Sequence, residues 1–304
     1  MTSISQDHSK LGFIGIGAMG FRIARRLLQQ GFPLTAFNRN ADKANALIES
    51  GGTIARSIAE LASGADVVLS CLANDEAVHS VYTGPQGVLA HIRRGSVIIE
   101  MSTVRPETSR ELYRLGSELG ASVLDVTISG STRAAEAGSV TLLGGGNKDS
   151  FDAAEAIFAA ISRQHFYLGP SGSGSTMKLV VNTILGVGMQ AIAEAVVLGQ
   201  KAGLDRKRIF DVLAKTAVIA PAHLGKLTEA LENDYRPEFG VGLMNKDFRL
   251  ILETAAHLGV PMPAVAASFP INAAEFVDHP DHDFSAVIHR MEDLANVDSG
   301  KQKS

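Results

Sequence analysis

The sequence of 304 residues contains a single cysteine, Cys71, and no tryptophan. One cysteine excludes an internal disulfide, and its place in the apolar run VVLSCL predicts a small buried side chain. No run of about 18 uninterrupted apolar residues occurs, so the sequence gives no reason to expect a membrane span. We therefore expect a cytoplasmic protein in a reducing compartment.

An excess of positive charge is also lacking. The formal net charge of −4 and the pI near 6.1 predict neither nucleic acid nor an anionic membrane surface as a partner. Hydrophobic residues make up 45% and charged residues 20%, which is the balance of an ordinary folded protein. A chain of this length is expected to form two domains rather than one.

Short apolar runs alternate with helical patterns up to about residue 168, and the early runs are apolar along their whole length. This alternation predicts an α/β Rossmann domain with a doubly wound, mostly parallel sheet. The predicted strands are Leu11–Gly15, Leu34–Asn38, Asp66–Leu72, Ser96–Glu100, Ser122–Val126, Val140–Leu143 and His165–Leu168.

The pattern of predicted secondary structure changes after residue 168. From Thr176 to about Ala202 the pattern is helical and nearly continuous, and further helices separated by prolines follow through Ala295. We therefore predict a Rossmann domain at 1–168 and an all-α C-terminal domain at 169–304, joined by the long helix. Because that helix is apolar around most of its circumference, it is expected to need burial on several sides, including against a second subunit.

A glycine pattern, Gly15-x-Gly17-x-x-Gly20, follows the first predicted strand and opens a predicted helix. In this context the glycines allow a tight turn, close approach of a pyrophosphate and close packing of helix on strand. Backbone amides at the helix start, where Ala18 and Met19 lie, would bind the phosphates. The alternative is a tight strand–helix turn that binds no ligand.

Asn38-Arg39-Asn40 stands at the end of the second predicted strand, where an NAD-binding unit commonly carries an acidic residue for the ribose. A carboxylate would repel a 2′-phosphate, whereas the Arg39 guanidinium matches it, and Asn38 and Asn40 could add amide donors. The sequence therefore predicts NADP(H) over NAD(H) as the cofactor. Alternatively, Arg39 is a solvated loop residue on the adenine face.

Three further segments occur in order: "LDVTISGSTRAAEAGSVTLLGGG" (Leu124–Gly146), "GPSGSGSTMKLVVN" (Gly169–Asn182) and "NKDFRLILETAAHLGVPMP" (Asn245–Pro263). With the glycine pattern they resemble the β-hydroxyacid dehydrogenase family, which includes 3-hydroxyisobutyrate dehydrogenases and tartronate semialdehyde reductases. The resemblance implies a Rossmann domain, a helical domain, an active site in the cleft between them, and a homodimer or homotetramer.

Lys178 is the candidate catalytic residue. Hydride delivery to an aldehyde develops charge on the carbonyl oxygen, which then needs a proton or a strong donor, and an ammonium can supply both. Asn182 lies four residues further along the same predicted helix face. The resemblance implies that Lys178 is the acid/base and that Asn182 works beside it. A solvated helix lysine is the alternative.

The substrate is expected at Ser129, Gly130 and Ser131. The corresponding family segment normally reads Asp-x-Pro-Val-Ser-Gly-Gly, and its Ser-Gly-Gly binds the substrate carboxylate. This sequence has Thr127 for the proline and Ser131 for the second glycine. The resemblance therefore implies a carboxylate grip and leaves open which small acid it holds.

The remaining cofactor contacts are predicted either from their position at strand ends or from the family resemblance. Leu72 and Ala73 lie at one predicted strand end and Thr103 directly after another, where parallel sheets bind ligands. The resemblance implies that Lys246 approaches the cofactor, with Asp247 in support. In physical terms alone, these two could equally form an exposed charge pair.

No metal site is expected. The nine histidines show no His-x3-His pattern, and the polar segment DHPDHDF at 278–284 predicts a solvated loop.

The sequence therefore predicts an NADP-dependent oxidoreductase acting on CH–OH groups. Its expected substrate is a small β-hydroxy acid or semialdehyde of the 3-hydroxyisobutyrate or 2-hydroxy-3-oxopropionate type. An imine reductase of the same superfamily is one alternative, although such enzymes typically lack the lysine at the position of Lys178. A sensor or scaffold that binds NADPH without turnover is the other.

Overall fold

The computed structural model describes residues 4–6 and 9–297. The chain divides into two compact units, residues 1–178 and 179–304. This division falls inside the long helix, at residue 178, whereas the sequence places the domain boundary at residue 168.

One eight-stranded sheet forms the centre of the first unit. Its strands are β1 (Leu11–Ile14), β2 (Leu34–Phe37), β3 (Thr53–Ile54), β4 (Val67–Ser70), β5 (Val97–Glu100), β6 (Ser122–Ser129), β7 (Val140–Gly146) and β8 (Ser162–Tyr167). The strand order is β3-β2-β1-β4-β5-β6-β7-β8, and every neighbouring pair is parallel except β6 and β7. The predicted doubly wound, mostly parallel sheet is confirmed.

Every predicted strand is present with shifted ends, and β3 is an addition. With two residues, β3 is too short to give a periodic pattern, and it forms by pairing with β2. Strands β1, β4 and β5 are buried along their whole length because helices cover both faces of the sheet.

Helices of the first unit lie between the strands. They are α1 (Ala18–Gln29), α2 (Ala41–Asn45), α3 (Ile58–Gly64), α4 (Asp75–Tyr82), α5 (Val88–His91), α6 (Pro106–Glu118), α7 (Thr132–Glu136), α8 (Lys148–Ala153) and α9 (Glu155–Ile161), with a 3₁₀ turn at Ile48–Ser50. Alternate strand residues face two separate cores: Phe13 packs in the core with α1, and its neighbour Ile14 packs in the core with α3. Cys71, predicted to be buried, is half-buried against the α1 core.

The second unit is helical in the part that the structure describes, which confirms the predicted fold class. Helix α10 (Ser173–Lys201) begins in the first unit and continues into the second. It is followed by α11 (Arg206–Leu213), α12 (Pro221–Leu231), α13 (Val241–Leu258), α14 (Pro263–Asp278), a 3₁₀ turn at Phe284–Ala286 and α15 (Val287–Leu294).

Helix α10 supplies much of the second core through Met189, Ile192 and Val196. By length and composition alone it could also cross a membrane, and 44% of its most apolar 18-residue window is buried. The core helix of a soluble protein meets the same criteria, so this feature does not assign the helix to a membrane.

The segment DHPDHDF is not the fully solvated loop that its polarity predicts. Asp283 is completely buried, and its carboxylate accepts hydrogen bonds from the backbone N–H groups of Glu238 and Phe239, both at 3.0 Å. The Lys226 ammonium lies 3.1 Å from the same carboxylate. These donors compensate for the loss of solvation, so a charged residue is buried where the sequence suggests exposure.

Candidate active site

Two glycines of the pattern are required by close packing, Gly15 in the loop between β1 and α1 and Gly20 in the first turn of α1. Gly15 has a φ of +95°, and a Cβ there would lie 2.3 Å from the carbonyl oxygen of Cys71. A Cβ on Gly20 would lie 2.0 Å from the carbonyl oxygen of Gly15. These positions therefore give the tight turn and the close contact of α1 with β1 that the glycine pattern predicts.

Gly17 differs, because no atom lies within 4 Å of the position where its Cβ would be. It is the N-cap of α1, and it provides no side-chain hydrogen bond to the helix start. Open space therefore lies beside the first turn of α1, where Ala18 is exposed and Met19 is half-buried. An open helix N-terminus beside a residue without a side chain fits a pyrophosphate.

The side chains of the two asparagines after β2 make hydrogen bonds within the protein. The Asn38 Oδ1 atom accepts from the N–H of Ile16 at 2.9 Å, and its Nδ2 donates to the carbonyl of Asn40 at 2.8 Å. Asn40 in turn caps α2 by accepting from the N–H of Asp42 at 3.0 Å. Asn38 thus holds the glycine loop against the end of β2.

Arg39, between these asparagines, is exposed. Within residues 4–6 and 9–297 it makes no hydrogen bond or ion pair. It directly follows Asn38, whose side chain contacts the glycine loop at Ile16.

A buried carboxylate, which sequence reasoning missed, lies at the ends of β4 and β5. Glu100 accepts hydrogen bonds from the N–H of Ser102 at 2.9 Å, from the Ser102 hydroxyl and from the Ser70 hydroxyl at 3.3 Å. The Ser102 Oγ atom also accepts from the N–H of Leu72 at 2.7 Å. This network ties together the two strand ends at which Leu72, Ala73 and Thr103 were predicted to line the cofactor.

Burial raises the pKa of Glu100 to about 7, and the hydrogen bonds from Ser102 and Ser70 oppose that rise. The signal in the sequence is an acidic residue that ends the apolar run VIIE. Only the tertiary structure shows that it points inward.

A second buried carboxylate, Asp125 on β6, holds the start of α10. Its Oδ1 atom accepts from the N–H of Gly172 and its Oδ2 atom from the N–H of Ser175, each at 2.9 Å. Burial raises the pKa of Asp125, and these backbone hydrogen bonds oppose the rise. The carboxylate thus caps the helix from a neighbouring strand.

Thr127, which stands where the family usually has proline, contacts the same turn of the helix. Its buried hydroxyl donates to the carbonyl of Gly174 at 3.0 Å. A Cβ on Gly174 would lie 2.3 Å from the carbonyl of Asp125, so glycine is needed for this close approach. The first turn of α10 is therefore packed directly on β6.

The predicted substrate residues follow at the end of β6. Ser129 is half-buried and Gly130 is exposed with a φ of +151°. The Ser131 hydroxyl caps α7 by accepting from the N–H of Ala134 at 3.3 Å. A hydroxyl that accepts in this way keeps its own hydrogen for donation.

Lys178 is half-buried on α10, one turn after the part of the helix that packs on β6. Lys178 and Asn182 stand four residues apart on this helix.

In the second unit, Asn182 is fully buried and its Nδ2 donates to Asp247 at 2.5 Å. The Lys246 Nζ atom lies 3.0 Å from the other oxygen of Asp247. Asp247 is 1% exposed and Lys246 is 18% exposed, so the alternative of an exposed surface pair is wrong. Within the described residues the Asn182 Oδ1 atom has no hydrogen-bond partner. A buried acceptor therefore lies next to Asp247, the carboxylate that pairs with the Lys246 ammonium.

Two family models match the chain. The NAD-binding domain of 6-phosphogluconate dehydrogenase matches residues 10–169, and the NAD-binding region of NADP-dependent 3-hydroxyisobutyrate dehydrogenase matches residues 172–291. The chain belongs to the β-hydroxyacid dehydrogenase family. Membership supports NAD(P)-dependent hydroxyacid dehydrogenase chemistry and a nicotinamide dinucleotide as the cofactor, which the open start of α1 fits.

Similar proteins include glyoxylate/succinic semialdehyde reductase 1 of Arabidopsis thaliana, 35% identical over 93% of this chain and 98% of its own length. The 2-(hydroxymethyl)glutarate dehydrogenase of Eubacterium barkeri is 31% identical over 95% and 96%. The cytokine-like nuclear factor N-PAC of Xenopus tropicalis is 32% identical over 94% of this chain and 54% of its own length. The chain thus spans about half the length of that relative.

Among solved structures, 3-hydroxyisobutyrate dehydrogenase of Mycobacterium tuberculosis with L-serine is similar at a TM-score of 0.85 and 31% identity. The alignment covers 92% of this chain and 98% of that one.

The glycine loop gives a paired prediction. Gly17→Ala should change the free energy of unfolding by less than about 1 kcal/mol, because its Cβ meets open space, yet weaken NADPH binding about 10-fold or more. Gly20→Ala should lower the free energy of unfolding by about 2 kcal/mol, because its Cβ would collide with backbone. Denaturant unfolding and NADPH fluorescence titration measure the two effects. Equal loss of stability in both variants would contradict this division of roles.

Glu100 gives a pH prediction. Because the pKa of its carboxyl rises from 4.5 to about 7, the folded state keeps a proton that the unfolded state releases between these values. The free energy of unfolding should therefore fall as pH rises through this window, by roughly 3 kcal/mol. Glu100→Gln should remove this contribution and leave that of Asp125, whose pKa burial also raises, whereas the exposed Glu49→Gln should follow the wild-type profile. Parallel profiles for Glu100→Gln and wild type would count against a raised pKa.

Proposed function

We propose that this protein is an NADP(H)-dependent oxidoreductase that interconverts a small semialdehyde and the matching β-hydroxy acid, with Lys178 as the acid/base. The observation that carries the proposal is the attachment of α10 to β6. Asp125 and Thr127 hold the helix start on the sheet, one turn before a half-buried lysine.

NADPH, when bound, supplies the hydride. The ammonium of Lys178 gives its proton to the carbonyl oxygen, which would otherwise carry the developing negative charge. In the reverse direction, the neutral amine accepts the proton of the hydroxyl group. One side chain would therefore serve both directions, as the acid in reduction and as the base in oxidation.

The other residues of the proposed site would hold and orient the substrate. Ser129, Gly130 and Ser131 would bind the substrate carboxylate through hydroxyl and backbone N–H groups. Asn182 would help to hold the reacting oxygen, and Asp247 fixes the amide in place through the 2.5 Å hydrogen bond.

The substrate class is supported by the relatives. Two of the three similar proteins above are named for a semialdehyde or a hydroxymethyl diacid. Both compounds combine a carboxylate with a carbonyl or hydroxyl group, so their turnover would need a carboxylate-binding loop as well as an acid/base.

Oligomerisation is supported by the surface of α10. Ile184 and Leu198 are 68% and 73% exposed, although both are large and apolar. We propose that this surface is covered by another copy of the chain in a homodimer or homotetramer.

A second candidate function follows from the nuclear-factor relatives. N-PAC of Xenopus tropicalis matches over 94% of this chain, and its name describes no reaction. A protein that binds NADPH without turnover would explain such a likeness. Failure of the intact protein to convert any semialdehyde, hydroxy acid or imine would favour this alternative.

The preference for NADP(H) depends on Arg39. Arg39→Ala should raise the KM for NADPH about 10- to 100-fold, because a charge-assisted contact to the 2′-phosphate is lost, and leave the KM for NADH nearly unchanged. Arg56→Ala, at another exposed arginine, is the control. Steady-state kinetics with both cofactors measure the effect. A wild-type protein that prefers NADH would overturn the cofactor assignment.

Turnover depends on Lys178. Lys178→Met keeps the apolar stem and removes the ammonium, so we expect kcat to fall about 100- to 10,000-fold with NADPH affinity retained. Lys201→Met, on the exposed end of the same helix, should leave kcat unchanged. Measured turnover close to wild type in Lys178→Met would remove the lysine from the mechanism while leaving the cofactor assignment intact.

A further inference from the structure

A cluster of metal-ligand side chains lies at the end of α14, in the second unit. Glu275 is on the last turn of the helix, and His279 and His282 follow it in the segment that the sequence suggested was a solvated loop. One ligand atom from each of the three lies within 4.8 Å of the others. The cluster is independent of the proposed oxidoreductase function, which uses none of these residues.

Both histidines direct the same ring nitrogen toward one carboxylate oxygen. The Nδ1 atom of His282 lies 2.9 Å from Glu275 Oε1, and that of His279 lies 3.2 Å from it. Ligands of a tetrahedral zinc ion, with bonds of about 2.0–2.1 Å, are separated by roughly 3.3 Å. The cluster therefore already has nearly the spacing of a coordination sphere.

The burial and hydrogen bonding of these ligand atoms also indicate a bound ion. Glu275 is 1% exposed, although a carboxylate is rarely buried without compensation. The His279 Nδ1 atom is buried and, in the part of the chain that the structure describes, makes no hydrogen bond despite its closeness to Glu275. A divalent ion would satisfy both the carboxylate and this nitrogen.

The loop that carries His282 is rigidly held. The His282 carbonyl accepts from the N–H of Val241 at 2.8 Å, and the next residue, Asp283, donates its N–H to the carbonyl of Tyr235 at 2.8 Å. The buried Asp283 carboxylate adds contacts to Lys226 and to the backbone of Glu238. Two ligand positions, the end of α14 and this loop, are therefore fixed before any ion binds, which favours affinity.

The ligand set selects the class of ion. Two imidazole nitrogens and one carboxylate oxygen suit a divalent transition metal, above all Zn²⁺, whereas Mg²⁺ and Ca²⁺ prefer shells of oxygen. Three protein ligands leave a fourth position for water. We propose that Glu275, His279 and His282 bind one Zn²⁺-class ion, which joins the end of α14 to the following loop.

The test uses the full chain after treatment with a chelator. Titration with Zn²⁺ by calorimetry should give one equivalent bound, and Co²⁺ as a spectroscopic substitute should give a visible absorption band. Zn²⁺ should also raise Tm, because it binds the folded state. His279→Ala and His282→Ala should each weaken Zn²⁺ binding by at least about 100-fold. His257→Ala, which removes an exposed histidine of α13, should bind like the wild type.

Two results would overturn the proposal. One is the absence of stoichiometric Zn²⁺ binding, which would leave the cluster as a carboxylate paired with its histidines alone. The other is equal loss of binding in His257→Ala and His279→Ala, which would mean adventitious binding. If the histidine variants do not fold, X-ray absorption on the Zn²⁺-loaded wild type decides, because two imidazoles should appear among the ligands and fewer would contradict the site.

Discussion

The structure depends on the attachment of the first turn of α10 to strand β6. One buried carboxylate, Asp125, accepts two backbone N–H groups that would otherwise be unsatisfied at the helix start. Thr127 donates to the carbonyl of Gly174 in the same turn, and the absence of a Cβ at Gly174 allows the contact. Because an α-helix is rigid over a few turns, fixing its start also fixes the backbone of Lys178. The proposed acid/base therefore has a defined place before any ligand binds.

This attachment places the carboxylate of Asp125 in the interior of the protein, where the carboxylate of Glu100 is also buried. Asp125 and Glu100 face each other in register on neighbouring strands β6 and β5. Burial raises the pKa of both carboxyl groups, and hydrogen bonds from Ser102, Gly172 and Ser175 limit the rise. Glu100 is the last residue of β5, at the edge where open α/β sheets bind their ligands, and Asp125 is its partner in register on β6. Buried acids destabilise a fold. Here both acids lie at the candidate active site, where they order the loops that carry functional groups.

The sequence predicted most of the fold because the signals are local. Alternating apolar runs gave the strands, and the glycine pattern gave the β1–α1 turn, in which Gly15 and Gly20 are indeed required by packing. The long helix was predicted to within three residues at its start, Thr176 against Ser173. Strand β3 was missed because two residues carry no periodic signal.

Parts of the site could not be read from the sequence because they depend on contacts between distant segments. The inward direction of Glu100 and the role of Asp125 as a cap for α10 arise only when strands and helix meet. The residues of the cluster of Glu275, His279 and His282 are close in sequence, so the cluster was missed for a different reason. A helix end and a loop combine to form it, whereas the spacing of its histidines matches no standard metal motif and its surroundings read as polar loop.

A crystal structure with NADPH and a β-hydroxy acid bound would test most directly whether Lys178 is the acid/base. We expect the Lys178 Nζ atom to lie within hydrogen-bond reach, about 3 Å, of the reacting oxygen, while Asp125 still accepts from the N–H groups of Gly172 and Ser175. An ammonium directed into solvent, or a first turn of α10 released from β6, would contradict it.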